Sequence, residues 1–136
     1  MLKISEAASL AMHTLALLTA RNGERMPTGR IAEALGASEA HLAKVMSRLT
    51  RAGLVSAVRG PGGGFVLAKP PERIALIDIY EAIEGEMPAG GCLLGKAACP
   101  GGRCVLGGLV RSVNEQVKEH LQRTKLTDLA VAFEEG

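Results

Sequence analysis

Cys92, Cys99 and Cys104 place three thiols within thirteen residues, spaced Cys-x6-Cys-x4-Cys in a stretch dense in glycine. Thiolates are soft donors suited to iron–sulfur clusters or zinc, and flexible glycines let a short segment wrap such a centre. Zinc sites favour more closely spaced cysteine pairs, so the wider spacing leans towards a cluster, with zinc and free redox thiols as the alternatives. Three thiols leave one coordination position open, and the chain has no fourth cysteine. His13 is the first outside candidate, with Ser9 one turn earlier on the same helix and Glu6 the lesser choice. The ordinary alternative for a lone histidine on an apolar helix is simple packing.

A second set of residues suits a polyanion. Lys44, Arg48, Arg51 and Arg59 bring four positive charges to a span without a negative one. The recognition helix of a helix-turn-helix enters the major groove by its N-terminal part, where side chains reach base edges. Ser38, Glu39, Ala40, His41 and Lys44 hold those positions. Ser38, Glu39 and His41 are the expected base readers, while Lys44, Arg48 and Arg51 are expected on phosphates. Thr28, at the start of the preceding helix, completes the DNA-facing set. Arg59 is followed by Gly60, Pro61, Gly62, Gly63 and Gly64, and such glycines allow a close backbone approach to DNA. An arginine held there fits a narrow minor groove, and Gly60, Gly62 and Gly63 join it as contacts. A nucleotide-binding loop is excluded, because the run lacks the Gly-Lys-Ser/Thr ending and opens no helix.

The elements that must position these residues are legible from periodicity and punctuation. A first helix is expected from about Ser5 to Ala20, with Ile4, Ala8, Ala11, Leu15 and Leu18 on one stripe. Thr28 is expected to cap a short helix over 29–35 closed by Gly36, and Ser38 a third with Leu42, Val45, Met46 and Leu49 buried. Residues 54–58 and 65–68 read as two strands around a glycine-rich turn, a β-hairpin wing. A helix over 76–84 ends at Gly85. Residues 85–108 hold eight glycines and three cysteines and build no apolar core of their own. A long helix over 109–125 lines Val110, Val113, Val117 and Leu121 along one face, which points to dimerisation or to packing on the first helix, the former preferred. Thr127 is expected to cap a short terminal helix.

The totals agree with this division. Aromatic residues make up 2% of the 136, so the core must be aliphatic, which favours helices and argues against base stacking on single strands. Residues 21–73 carry nine basic and four acidic side chains, whereas residues 74–136 carry six basic and nine acidic. A basic half beside an acidic half fits a nucleic-acid binder with a separate function. The apolar stretch near the N-terminus is interrupted by polar residues, and nothing is long enough to span a bilayer. The odd cysteine count fits a reducing compartment, so a cytoplasmic location is expected.

The expected architecture is mainly α with a small β-hairpin wing: a winged helix-turn-helix DNA-binding domain (1–85), a cysteine loop (86–108), and a dimerisation helix with C-terminal tail (109–136). The chain resembles the bacterial winged helix-turn-helix regulators of the IscR/NsrR type. The resemblance is carried by Ala52-Gly53-Leu54-Val55, by Val58-Arg59-Gly60-Pro61-Gly62-Gly63-Gly64-Phe65, by Ile31-Ala32-Glu33 with Leu35, by Ile83-Glu84-Gly85, and by the three cysteines. It implies a homodimeric regulator, a repressor by preference, of a double-stranded DNA operator. It further implies a [2Fe-2S] or [4Fe-4S] cluster on Cys92, Cys99 and Cys104, with a fourth ligand from elsewhere and operator affinity set by redox state, nitric oxide or iron supply. Where some relatives place a histidine ligand or a first-helix Asp, this chain has Gly107 and Ser9, and a recurrent recognition-helix Glu falls at Ala43. The alternative is a cluster-free winged-helix repressor that senses thiol oxidation, zinc or a partner protein. No nucleophile–base pair or cofactor fingerprint points to an enzyme.

Overall fold

A computed structural model of the chain describes residues 4–87 and 106–134. Ser5 opens the first helix, α1 (Glu6–Ala20), by accepting the Ala8 amide on its hydroxyl at 3.1 Å. Ala8, Ala11, Leu15 and Leu18 are buried as their spacing requires, but Ile4 precedes the helix and stays 54% exposed, so it leaves the expected stripe. Thr14, Ala16 and Leu17 are buried too, because α1 packs against the second, third, fourth and sixth helices. Thr14 satisfies its hydroxyl by donating to the Leu10 carbonyl at 2.7 Å. Asn22 and Gly23, both at positive φ, then reverse the chain.

The next helix, α2 (Thr28–Leu35), begins one residue earlier than the sequence implied. Pro27 occupies the cap position with its extended φ and ψ, and Thr28 is the first helical residue rather than the cap. At its end Gly36 adopts φ +64°, and the Gly36 and Ala37 amides close on the Glu33 and Ala32 carbonyls. Ser38 caps α3 (Glu39–Arg51), which buries Leu42, Val45, Met46 and Leu49 as expected.

Strands β1 (Val55–Val58) and β2 (Gly64–Leu67) pair antiparallel, with Val55 opposite Leu67 and Val58 opposite Gly64. Leu54 and Ala68 lie just outside the strands but are joined by the Ala68 amide on the Leu54 carbonyl at 3.0 Å. The wing does not hang free. Met26 and Phe65 exchange both backbone hydrogen bonds, at 2.9 and 3.2 Å, which fastens β2 to the start of α2. That approach is possible only at a glycine, since a Cβ on Gly64 would stand 2.5 Å from the Met26 carbonyl carbon.

A short 3-10 turn (Pro71–Arg73) leads to α4 (Leu76–Glu84), stopped by Gly85 at φ +82° as expected. Among the described residues after 105, the chain forms α5 (Gly107–Arg123) and α6 (Leu126–Glu134). An isolated bridge joins the two parts: the Leu76 amide donates to Thr124 at 3.0 Å and the Leu126 amide to Ile74 at 2.8 Å. On each side an aspartate closes the turn, Asp78 accepting the Ala75 amide at 3.0 Å and Asp128 the Lys125 amide at 2.9 Å. Asp128 therefore takes the starting role expected of Thr127, which lies within the first turn of α6.

The long helix differs from its reading in rotation. Val110, Asn114 and Leu121 are buried and Val117 packs against the core, but Val113 is 38% exposed. At about 100° per residue, Val113 lies roughly 60° round from Val110 and falls outside the buried sector, which extends towards Asn114 instead. Leu106, Leu109 and Val113 form a separate exposed apolar line. Helix α5 packs on α4, and it is α6 that packs back on α1. Leu121 and Leu126 share one apolar cluster with Leu15, Leu42 and Ile79.

Two glycines make opposite predictions. Gly64→Ala should destabilise the chain by about 2 kcal/mol by forcing β2 off Met26. Gly108→Ala, in α5 with nothing within 4 Å of the added carbon, should stabilise it by about 0.5–1 kcal/mol. Urea unfolding midpoints of the two variants check both.

Candidate nucleic-acid interface and the adjoining cleft

The outer side of α3 carries the polar residues that its buried stripe leaves over. Ser38, Glu39, Lys44, Arg48 and Arg51 are exposed, and His41 is half-buried. Ser38 is engaged as the cap, accepting the His41 amide on Oγ at 3.3 Å, so the first turn of α3 starts from a satisfied amide. At the wing, Arg59, Gly60 and Gly62 are exposed and Gly63 is half-buried. The tip closes through the Gly63 amide on the Gly60 carbonyl at 2.9 Å, with positive φ at Gly60 and Gly62. A Cβ on Gly63 would meet the Val58 carbonyl oxygen at 2.4 Å, so glycine is required there by space.

Two residues expected on DNA also lie close to other elements of the protein. The Glu39 carboxylate lies over the first turn of α2, its Oε1 3.6 Å from where a Cβ on Gly29 would be. A negative charge there faces the amide-rich end of α2, next to half-buried Thr28, and suits the helix dipole. Arg48 donates from a guanidinium nitrogen to the Ile83 carbonyl at 2.9 Å. That carbonyl belongs to the last turn of α4, where acceptors lack helical partners. A shallow cleft of about 520 Å³ runs beside this contact, lined by Arg48, Arg51, Ala52, Ile83, Glu84 and Gly85. On the far side of the same turn, the Ser5 hydroxyl donates to the Glu84 carboxylate. Within α4, Tyr80 is 3% exposed. Burial, and then the carboxylates of Glu84 and Glu81, push its phenol above the ordinary value and keep it protonated.

Glu6, Ser9 and His13 fall on one face of α1, and that face lines a cleft of about 450 Å³ against the helix-turn-helix. The opposite wall is Leu35, Gly36, Ala37, Ser38 and His41. All three candidate outside ligands therefore stand across from the first turn of α3. His13 is exposed rather than packed in the core, with Phe133 of α6 meeting its ring edge-on at a centroid distance of 5.9 Å. Its Nδ1 lies 2.7 Å from the Ser9 carbonyl oxygen. A carbonyl only accepts, so Nδ1 carries a proton, and Nε2 is the ring nitrogen left to act as a donor to a metal. Histidine ligands of metals are commonly held this way. Cys92, Cys99 and Cys104 lie outside the described residues, and among the described residues no three His, Cys, Asp or Glu side chains gather as a metal site.

The meeting of the α1 face with Ser38 and His41, and the tie from Arg48 to Ile83, were not expected from the sequence. Both join residues far apart in the chain, Arg48 and Ile83 by 35 positions, and only helix packing brings them together. The single sequence signal is angular: at about 100° per residue, Arg48 lies closer to the buried stripe than Lys44 or Arg51 does.

Residues 4–132 match the family described as Rrf2, iron-dependent transcriptional regulator. The HTH-type transcriptional regulator IscR of Xenorhabdus nematophila is 37% identical over 105 residues, which is 76% of this chain and 63% of that protein. The chain thus spans under two thirds of the curated relative's length. Among solved structures, that of CymR, the global cysteine regulator of B. subtilis, superposes with a TM-score of 0.82 at 32% identity, covering 97% of this chain and 98% of that one. IscR of T. potens superposes with a TM-score of 0.77 at 26% identity, covering 98% and 90%. These relatives are named as regulators, not enzymes.

The cap on α3 gives a measurable expectation. Ser38→Ala should cost about 1 kcal/mol in urea unfolding, and Ser38→Asp, which restores an acceptor, should recover most of it.

Proposed function

The chain belongs to the Rrf2 family of transcriptional regulators, and we propose that it is a cytoplasmic, homodimeric repressor whose grip on a double-stranded operator is set by an iron–sulfur cluster. The observation that carries this reading is the cleft that sets Glu6, Ser9 and His13 against Ser38 and His41. An outside ligand on α1 would then sit across from the first turn of the helix that reads DNA. Cys92, Cys99 and Cys104 would supply three thiolates and His13 the fourth donor, through Nε2. A [2Fe-2S] or [4Fe-4S] cluster, when bound, supplies a centre that responds to redox state, nitric oxide or iron supply.

The rest is work for the chain's own residues. Ser38 and His41 are proposed to face base edges, Lys44 and Arg51 the phosphates, and Arg59 with Gly60, Gly62 and Gly63 the minor groove. Glu39 and Thr28 are proposed to shape the approach of α2 and α3 rather than to read bases, since the Glu39 carboxylate lies over Gly29. The exposed line of Leu106, Leu109 and Val113 supports a dimer, because a second copy would cover it. Two such reading heads match half-sites about one helical turn apart, or a multiple. By this reading the domain division at 85/86 and 108/109 separates grip, sensor and pairing helix.

The second reading is a cluster-free regulator that senses thiol oxidation, zinc or a partner protein. Similarity over 97% of the chain to CymR, the global cysteine regulator of B. subtilis, is in keeping with part of it.

Two measurements test the proposal. Anaerobically purified protein should be coloured and contain iron and sulfide, and both should be lost in Cys92→Ala together with a change in operator affinity. Colourless, iron-free protein whose DNA binding is indifferent to Cys92→Ala overturns the cluster; dependence on zinc or on oxidant instead selects the second reading. Separately, Lys44→Ala should weaken binding alike on all sequences and lower the slope of log affinity against log salt by about one. An unchanged slope removes Lys44 from the phosphate contacts.

A further inference from the structure

Arg48 stands in the basic run of α3, where sequence pattern alone assigns it to a phosphate. One nitrogen of its guanidinium nevertheless donates to the Ile83 carbonyl at 2.9 Å, although the side chain is exposed. Ile83 is the penultimate residue of α4 and its side chain is buried. The last helical backbone bond there runs from the Gly85 amide to Glu81, two residues before the carbonyl that Arg48 takes. A cation at the carboxyl end of a helix gains from the partial negative charge of the free carbonyls, and a charged donor makes the stronger hydrogen bond. Glu84, the next residue, is held by the Ser5 hydroxyl at the cap of α1. The end of α4 is thus tied to α3 on one side and to α1 on the other.

We infer that Arg48 is a positioning residue for DNA recognition, fixing the rotation of α3 by gripping the carboxyl end of α4, and that it is not a phosphate contact. Leu42, Val45, Met46 and Leu49 seat the helix on the core, but an aliphatic stripe tolerates small rotations. A hydrogen bond to a fixed carbonyl tolerates few. Which polar side chains meet the duplex depends on that rotation, so the contact acts through Lys44, His41 and Ser38. The inference rests on α3 being the element that enters DNA.

The test compares Arg48→Ala and Lys44→Ala as full-length proteins, each in the form, anaerobically purified or iron-stripped, in which the wild type binds DNA. The probe is one duplex enriched by the wild-type chain from a random pool. Positioning predicts that Arg48→Ala weakens binding about tenfold at every salt concentration while the salt slope stays at the wild-type value. Amide exchange in the DNA-free chain should also speed up severalfold at Gly85 and the last turn of α4, and should not do so in Lys44→Ala. A slope lowered by about one, unchanged affinity, or unchanged exchange at Gly85 overturns the inference. If Arg48→Ala does not fold, Arg48→Met keeps the aliphatic stem, loses the donor, and is judged by the same readings. Failure of the wild type to enrich or bind any duplex would instead defeat the underlying reading of α3.

Discussion

The short backbone bridge between Ile74–Leu76 and Thr124–Leu126 is the constraint on which the remaining architecture depends. Two hydrogen bonds, at 2.8 and 3.0 Å, bring together positions about fifty residues apart and fix where α4, α5 and α6 start and stop. The entropy of closing so long a span grows only slowly with its length, so a modest contact suffices if its neighbours are well packed. They are: Ile74 and Leu126 are fully buried beside it. Each strand of the bridge then enters a helix whose third residue is an aspartate that accepts the amide preceding the helix. The two halves repeat the same device, Leu76-Ile77-Asp78 and Leu126-Thr127-Asp128, about a local pseudo-twofold. Without it α6 would have no fixed route back to α1, and α5 would not be held with its apolar line outward.

What could be read from residues alone follows from how local each decision is. The α3 stripe is a strict helical repeat, Gly36 and Gly85 end their helices by conformations few other residues adopt, and the glycine run forces a hairpin tip. Those elements fell where the sequence put them, within a residue or so. The errors share another origin. Pro27 displaced Thr28 as the cap because the fold binds Met26 to Phe65, which is a long-range fact. Val113 shares an apolar spacing with Val110, Val117 and Leu121, yet it stands apart from their buried side, where the place goes to a polar residue, Asn114, that no hydropathy pattern nominates. The bond from Arg48 to the end of α4 is likewise a long-range contact that no residue pattern nominates. The candidate site divides in the same way. Its residue types were legible, but the opposition of His13, Ser9 and Glu6 to Ser38 and His41 requires α1 and the helix-turn-helix to be packed first.

Function and fold meet in how little separates the two polar regions. The face of α1 that offers nitrogen and oxygen donors is not on the far side of the molecule from the reading helix; they share one cleft. Both walls rest on a single apolar cluster running from Ala8 to Leu126, so on the proposed reading a ligand on α1 and a nucleic acid on α3 are related without a hinge between domains. In a close-packed interior of this kind small displacements are transmitted rather than absorbed.

Tyr80 has a consequence of a different kind. The chain has no tryptophan and this one tyrosine, sealed at 3% exposure in the helix that abuts α1, α3 and α5. Its ultraviolet emission therefore arises from one known place. Any rearrangement at the crossing of those helices would be reported by an intrinsic optical label, with no dye attached and no competing indole signal to subtract.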